Sequence, residues 1–276
     1  MIRILYRPPD GSFRTDLTVD DLPVCLAEPD GLLWLDLSGV PSGEAEPLLL
    51  GVFDFHPLAI DDALQENHTP KLDNWGSYLY LVFRTIVLGP TLAGEEIEAP
   101  ELDVFLGENY LVTYHAPSFE PLDRVWETTQ LDERHLTEGP DHVLYRLVDE
   151  IATDDAHALE RIDQALDEIE IEIFRRAKTT TLESIFDLKR ALLRLRRYLG
   201  PQRGVLSQLA RDDFPMIDPT DRIFFRDVYD HLVRLTDLTD SLRDLVAGAM
   251  ETYLSVTNNR MNDVMKTLTI ITTLFM

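Results

Sequence analysis

Residues 258–276 read NNRMNDVMKTLTIITTLFM, and the architecture follows from them. Polar residues give way to the apolar run Leu268–Met276, with no glycine or proline to end a helix. A membrane-spanning helix needs about 20 apolar residues. The run is therefore expected to be the opening of such a span, in a chain that stops as the membrane helix begins. Upstream, Asp218-Pro219-Thr220 reads as a helix start with Pro219 in the first turn. From there to Met276 there is no proline and a single glycine, Gly248. That predicts one helix of roughly 60 residues, about 85 Å long at 1.5 Å per residue. Its apolar positions, among them Val228, Leu232, Leu235, Leu242, Ala249 and Tyr253, recur at helical spacing. A helix this long has to lie along another element.

Two more long helices precede it. One is predicted near His142–Lys178, with Val143, Leu147, Ile151, Leu159, Ile162, Leu166, Ile169 and Ile173 on one face. The other runs near Leu182–Asp212 and is expected to kink at Gly200-Pro201. Thr179-Thr180-Thr181 serves as the linker of an antiparallel hairpin. The first helix is acidic (Glu160, Asp163, Asp167, Glu168) and the second basic (Lys189, Arg190, Arg194, Arg196, Arg197, Arg203). The arginines are read as partners for acids of the hairpin or of a neighbouring subunit.

The first half is different. Short β-rich runs occur at Ile2–Tyr6, Leu32–Leu37, Tyr78–Leu88, Leu102–Leu106 and Tyr110–Tyr114, separated by turn formers such as Pro8-Pro9-Asp10-Gly11. Tyr78–Leu88 is almost continuously apolar, as a central strand covered on both faces would be. Helical patterns lie near Glu44–Phe53 and Pro57–Gln65. The fold class is therefore α+β. A mixed α/β domain with a central sheet (1–137) leads to an antiparallel helical hairpin (138–217) and then to one very long stalk helix (218–276).

Composition narrows the function. Fifty acidic residues against 25 basic ones give a formal charge of −25. Such a chain repels nucleic acid and anionic surfaces and attracts cations. One cysteine, Cys25, rules out an intrachain disulfide and a thiolate zinc cluster. The N-terminus MIRILYRPPDGSF lacks the apolar core of a signal peptide.

Several stretches carry a resemblance: His56-Pro57-Leu58-Ala59-Ile60-Asp61-Asp62-Ala63-Leu64, Pro70-Lys71, Tyr78–Phe83, Phe225-Arg226-Asp227-Val228-Tyr229-Asp230-His231 and Asn259–Met276. In this order and spacing the chain resembles the CorA family of divalent-cation channels and transporters over nearly its whole length. The resemblance implies a homopentamer in the cell (inner) membrane, with this portion on the cytoplasmic side. It also implies a stalk that becomes the pore helix, and a Gly-Met-Asn selectivity motif beyond the last residue present. Mg²⁺ is the implied ion, with Co²⁺, Ni²⁺ or Zn²⁺ as further candidates; nucleic acid is not an expected partner.

The resemblance also implies sites. Mg²⁺ prefers six oxygens, keeps several waters and is held by one or two carboxylates. By motif match, Asp62 and Asp227 form the main intersubunit site, and Asp61 and Asp149 a second. Asp61 stands where the family often has glutamate. Two facing carboxylates about 5 Å apart repel by ~0.8 kcal/mol in water and ~3 kcal/mol at an effective dielectric of 20. Mg²⁺ bridging them would restore packing and close the pore, a negative feedback. On the stalk, Glu251, Asn258, Asn262, Met265, Leu268, Thr272 and Met276 share one helix face, which the resemblance places at the pore. There the polar groups would hold a hydrated ion and the apolar ones would gate by dewetting.

Other readings stay open. Zinc transporters of the same superfamily share much of this pattern. A soluble metal-dependent hydrolase or a coiled-coil scaffold belongs to a different class. No Gly-rich phosphate loop, nucleophile elbow or His-Glu-x-x-His run supports an enzyme. His56, His68, His115 and His157 read as lone surface histidines.

Overall fold

The computed structural model describes residues 1–11, 13–65, 68–89, 98–131, 138–176 and 178–275. Six strands form one sheet: β1 (Ile2–Arg7), β2 (Leu32–Ser38), β3 (Lys71–Asn74), β4 (Leu79–Arg84), β5 (Glu101–Leu106) and β6 (Tyr110–His115). Their order is β1-β2-β6-β5-β4-β3. Only β2 and β6 run parallel, with Leu33 opposite Tyr110 and Ser38 opposite His115. Such a pairing needs a long crossover, and residues between these two strands supply β3, β4, β5 and two helices.

The apolar strands follow from burial on both faces. Along β4, Leu79, Leu81 and Phe83 enter one core while Tyr80 and Val82 enter the other. The second core lies under three short helices, α1 (Leu22–Leu26), α2 (Ser42–Gly51) and α3 (Pro57–Leu64). Its centre is aromatic: Phe55 stacks on Phe105 with centroids 4.2 Å apart. The first core lies under α4 (Glu120–Leu131), α5 (Pro140–Arg176) and α6 (Thr179–Arg211), and Trp34 meets Trp126 edge-on at 4.7 Å. It continues without a break along the long helices, where α7 (Arg222–Phe275, 54 residues) packs against both α6 and α5.

The expected α+β class, hairpin and stalk are all present, with local corrections. β4 ends at Arg84, short of the expected Leu88, because the chain then turns so that Thr85 and the Ile86 amide meet Asp155 of α5. Thr179, Thr180 and Thr181 are the first turn of α6 and not a linker; Thr181 Oγ1 accepts the Lys178 amide at 3.2 Å. Helix α6 runs through Pro201 as one element. The stalk begins at Arg222, beyond Pro219, because Asp218 turns back to accept the Thr220 amide and hydroxyl, both at 2.7 Å. The basic face of α6 does not pair with the acidic face of α5 among the described residues. Arg190 bonds Asp187 on its own helix, and Arg196 reaches Asp240 of α7 at 3.1 Å.

Candidate functional site

Helix α3 carries the first two expected acids. His56 precedes it, its Nδ1 accepting the Leu58 amide at 3.2 Å while its own amide donates to the Tyr78 hydroxyl at 2.9 Å. The His56 ring stacks on Trp75 at 4.2 Å. Pro57 occupies the first helical position, where its missing N–H costs nothing. Burial of Ala59, Ile60 and Ala63 then fixes the rotation of the helix, leaving Asp61 exposed and Asp62 half-buried. Asp61 accepts a bond from Gln65 at 2.6 Å. Asp62 is held by the Lys71 ammonium, which also reaches Asp73 at 2.8 Å and lies 5.0 Å over the Tyr80 ring. His68 Nε2 stands 4.0 Å from the other Asp62 oxygen. Burial would lower the Lys71 pKa, but Asp62 and Asp73 more than offset this and hold it above its ordinary value.

The other two expected acids lie on the long helices. Asp149 is half-buried on α5 and Asp227 exposed on α7. Burial pushes the Asp149 carboxyl pKa up, His231 draws it back, and Glu150 and Asp227 add to the rise. The Tyr145 hydroxyl is raised likewise by burial, then by Asp149 and Asp227. Asp149, His231 and Asp227 are thus within electrostatic reach of one another in a single chain. Glu150 is engaged by Arg124 at 3.0 Å. Among the described residues, no hydrogen bond or ion pair joins Asp61 or Asp62 to Asp149 or Asp227, and no three His, Cys, Asp or Glu side chains converge as a ready metal cage.

On the stalk, Glu251, Asn258, Asn262, Met265, Leu268 and Thr272 are all exposed; Met276 lies outside the described residues. Tyr253 is the last buried side chain, and its hydroxyl donates to Lys178 O at 3.1 Å. Arg260 donates to Phe174 O and Arg175 O at the end of α5 (3.4 and 3.2 Å). Beyond it the apolar side chains stand free, Leu274 at 78% and Phe275 at 89% exposure. Thr267, Thr269 and Thr273 return their hydroxyls to carbonyls four residues back at 2.8–2.9 Å, and Thr272 does the same to Leu268. Their polar groups are satisfied within the helix, which suits an apolar surrounding. No helix among the described residues is long and apolar enough to cross a membrane.

The histidine reading needs correction at His115, whose side chain is fully buried. Its Nε2 lies 3.1 Å from Asp36, which also takes the Thr113 hydroxyl (2.7 Å) and the Arg3 guanidinium (2.8 Å). Burial alone would raise the Asp36 pKa, but His115, Arg3 and Thr113 hold it below the ordinary carboxylate value. His115 is invisible as a core residue because its partner stands on the adjacent parallel strand. His68 likewise bonds Glu101, at 3.1 Å. The exposed His157 matches its reading.

Comparison with known proteins adds the family. A family profile described as CorA-like Mg²⁺ transporter protein matches residues 29–276. The cobalt/magnesium transport protein CorA of Thermotoga maritima is 32% identical over 244 residues, covering 88% of this chain and 69% of the relative. The complete structure of the CorA magnesium transporter from Methanocaldococcus jannaschii superposes over 100% of this chain and 83% of its own, with a TM-score of 0.83 at 20% identity. A zinc transport protein, ZntB of Photorhabdus laumondii, is 24% identical over 200 residues, 67% of this chain and 58% of the relative.

Proposed function

The chain belongs to the CorA-like Mg²⁺ transporter family, and from that premise we propose that it is the cytoplasmic, cation-sensing part of a divalent-cation channel whose acids bind Mg²⁺ between adjacent subunits of a pentamer. The observation that carries the reading is the separation of the acids within one chain. Asp61 and Asp62 stand on α3, while Asp149 and Asp227 stand on α5 and α7. A second copy presenting α3 to the α5–α7 face would complete both pairs. The residues fit a weak and reversible site. Asp149 and Asp227 are already raised or exposed carboxylates without a lysine or arginine on them among the described residues. Asp62 has to exchange Lys71 for the cation. Sensor sites that release Mg²⁺ need such competition, since few carboxylates and retained waters set a modest affinity.

Coupling to a pore runs through α7. Asp227 lies near its start and the exposed face Glu251–Thr272 near its end, on one uninterrupted helix. Cations bound at the interfaces favour one arrangement of the stalks by as much as they bind it better than the other. Asn258 and Asn262 then stand at the cytoplasmic mouth, and Met265 and Leu268 at an apolar constriction. The physiological cation on this reading is Mg²⁺ or Co²⁺, with zinc transport the second reading because a zinc transport protein is among the relatives.

The test is thermal unfolding against Mg²⁺ concentration for the parent and for Asp62→Ala/Asp227→Ala. A ligand confined to the folded, assembled state raises the midpoint with occupancy. Millimolar Mg²⁺ is expected to stabilise the parent and leave the double variant unmoved. An equal response from both would mean diffuse screening of a −25 chain and would sink the site assignment.

A further inference from the structure

A cleft of about 1050 Å³ opens at the carboxyl ends of the parallel pair β2 and β6, roofed by α6. Its walls come from the segment after β2 (Gly39, Val40, Ser42), the segment after β6 (Ala116, Pro117), the start of β5 and the Arg194–Tyr198 turn of α6. The volume is at the upper end of small-molecule sites, and the carboxyl ends of parallel strands are where open sheets hold ligands.

The charges in the cleft are distributed unevenly. Glu101 is nearly buried and already taken by the Arg84 guanidinium and by His68 at 3.1 Å. Asp103, 3% exposed, accepts the Tyr80 hydroxyl at 2.6 Å. Burial, with Glu101 beside it, pushes its pKa well up. Glu98 remains as an exposed acid at the rim. Against it stand Arg194 and Arg197, three residues apart on one face of α6, both exposed. Neither has an ion-pair partner among the described residues, although acids outnumber bases 50 to 25 in this chain. Arg196, on the other side of the same turn, does find one in Asp240 at 3.1 Å. Neighbours at this spacing hold their Cβ atoms about 5–6 Å apart. Two guanidinium forks so placed match the oxygens of adjacent phosphate groups, which they bind bidentately.

We propose that this cleft binds a small phosphate-bearing anion of oligophosphate or nucleotide size, with Arg194 and Arg197 as its phosphate clamp. Ser42 and Thr69 supply hydroxyls to the same lining. The clamp uses none of Asp61, Asp62, Asp149 or Asp227, although Ala63, Leu64 and His68 of the lining stand beside Asp62. An anion seated there would tie α6 to the β2 and β6 ends and so add a second, metabolite-dependent input to the helices that carry the stalk.

The experiment is isothermal titration of the full chain with inorganic triphosphate and with ATP, in metal-free buffer at fixed ionic strength. Three proteins are compared: the parent, Arg194→Gln/Arg197→Gln, and a charge-matched control on the same helix, Lys189→Gln/Arg203→Gln. Saturable binding of one anion per chain is expected, weakened at least about 30-fold in the first variant, as the loss of two charge-assisted contacts implies, and within about twofold of the parent in the control. Both variants should keep the parent's circular dichroism. Tighter binding of ATP than of triphosphate would identify a nucleotide, and equal binding a phosphate-only site. Equal weakening in both variants would reduce the effect to general electrostatics and overturn the proposal. Absence of saturable binding by either anion at 10-fold molar excess over a millimolar of chain, about the weakest range such titrations resolve, would overturn it as well.

Discussion

Replacing Asp155 by Asn should change how stability depends on pH. Asp155 is fully buried on α5, where one carboxyl oxygen takes the Tyr198 hydroxyl (2.7 Å), the Ile86 amide (3.1 Å) and the Thr85 hydroxyl (3.3 Å). The other oxygen has no partner. Burial outweighs those three donors and pushes its pKa up to about 7, from an ordinary 3.8. Below the ordinary value both states hold the proton and Asp155 contributes no pH dependence. Between about 3.8 and 7 the unfolded chain is ionised while the folded chain keeps its proton, so stability falls as pH rises. The slope is ~1.4 kcal/mol per pH unit, and the whole loss is on the order of 4 kcal/mol, present in full above about pH 7. Asn keeps the accepting oxygen, puts a neutral amide where the unpartnered oxygen was, and does not titrate. Urea unfolding followed by circular dichroism from pH 5 to pH 7.5, at constant ionic strength, should show the stability of the variant relative to the parent rising with pH. The gap should widen by ~3 kcal/mol between the two ends, because other carboxylates titrate alike in both. A gap that changes by less than ~0.5 kcal/mol over this range, within the scatter of such extrapolations, would refute the reasoning.

Two further outcomes test other parts of the structure. Lys71→Gln frees Asp62 from its ammonium partner, so the Mg²⁺ concentration that half-stabilises the protein should fall about two- to fivefold, from the ~0.5–1 kcal/mol of a part-exposed pair; a thermal-shift titration reads this directly, and an unchanged midpoint would mean that Asp62 does not contact the cation. Gly39 has φ +57°, and an added Cβ would come within 2.8 Å of Pro117 Cγ. Gly39→Ala should therefore cost ~1–3 kcal/mol in urea unfolding, without altering the response to Mg²⁺.

Much of this fold is legible in the sequence. Strands β2 and β4 stand out because both faces of the sheet are covered, so their residues are largely apolar in succession and not in alternation. The hairpin and stalk show because their apolar spacing persists over many turns. β3 was missed: Lys71-Leu72-Asp73-Asn74 is a four-residue polar edge, recognisable only by its pairing with β4. α4 was missed although Leu122, Val125, Trp126 and Thr129 carry a helical period. At the site, the acids could be named from their motifs, but Lys71 on Asp62 depends on that same β3 pairing. The Asp36–His115 contact joins residues 79 apart and follows only from parallel register. Separation in sequence, more than chemistry, is what hid these features.

The contact between Arg260 and the end of α5 has a mechanical consequence. Among the described residues it is the last tie between the stalk and the rest of the chain, and the helix continues through Phe275 as an arm of about 22 Å at 1.5 Å per residue. The fulcrum therefore sits at the hairpin tip. Simple trigonometry turns a tilt of about 5° there into a sweep of about 2 Å at the far end of this arm. Very small adjustments where the three long helices meet are therefore amplified into displacements of about 2 Å at the end of the lever.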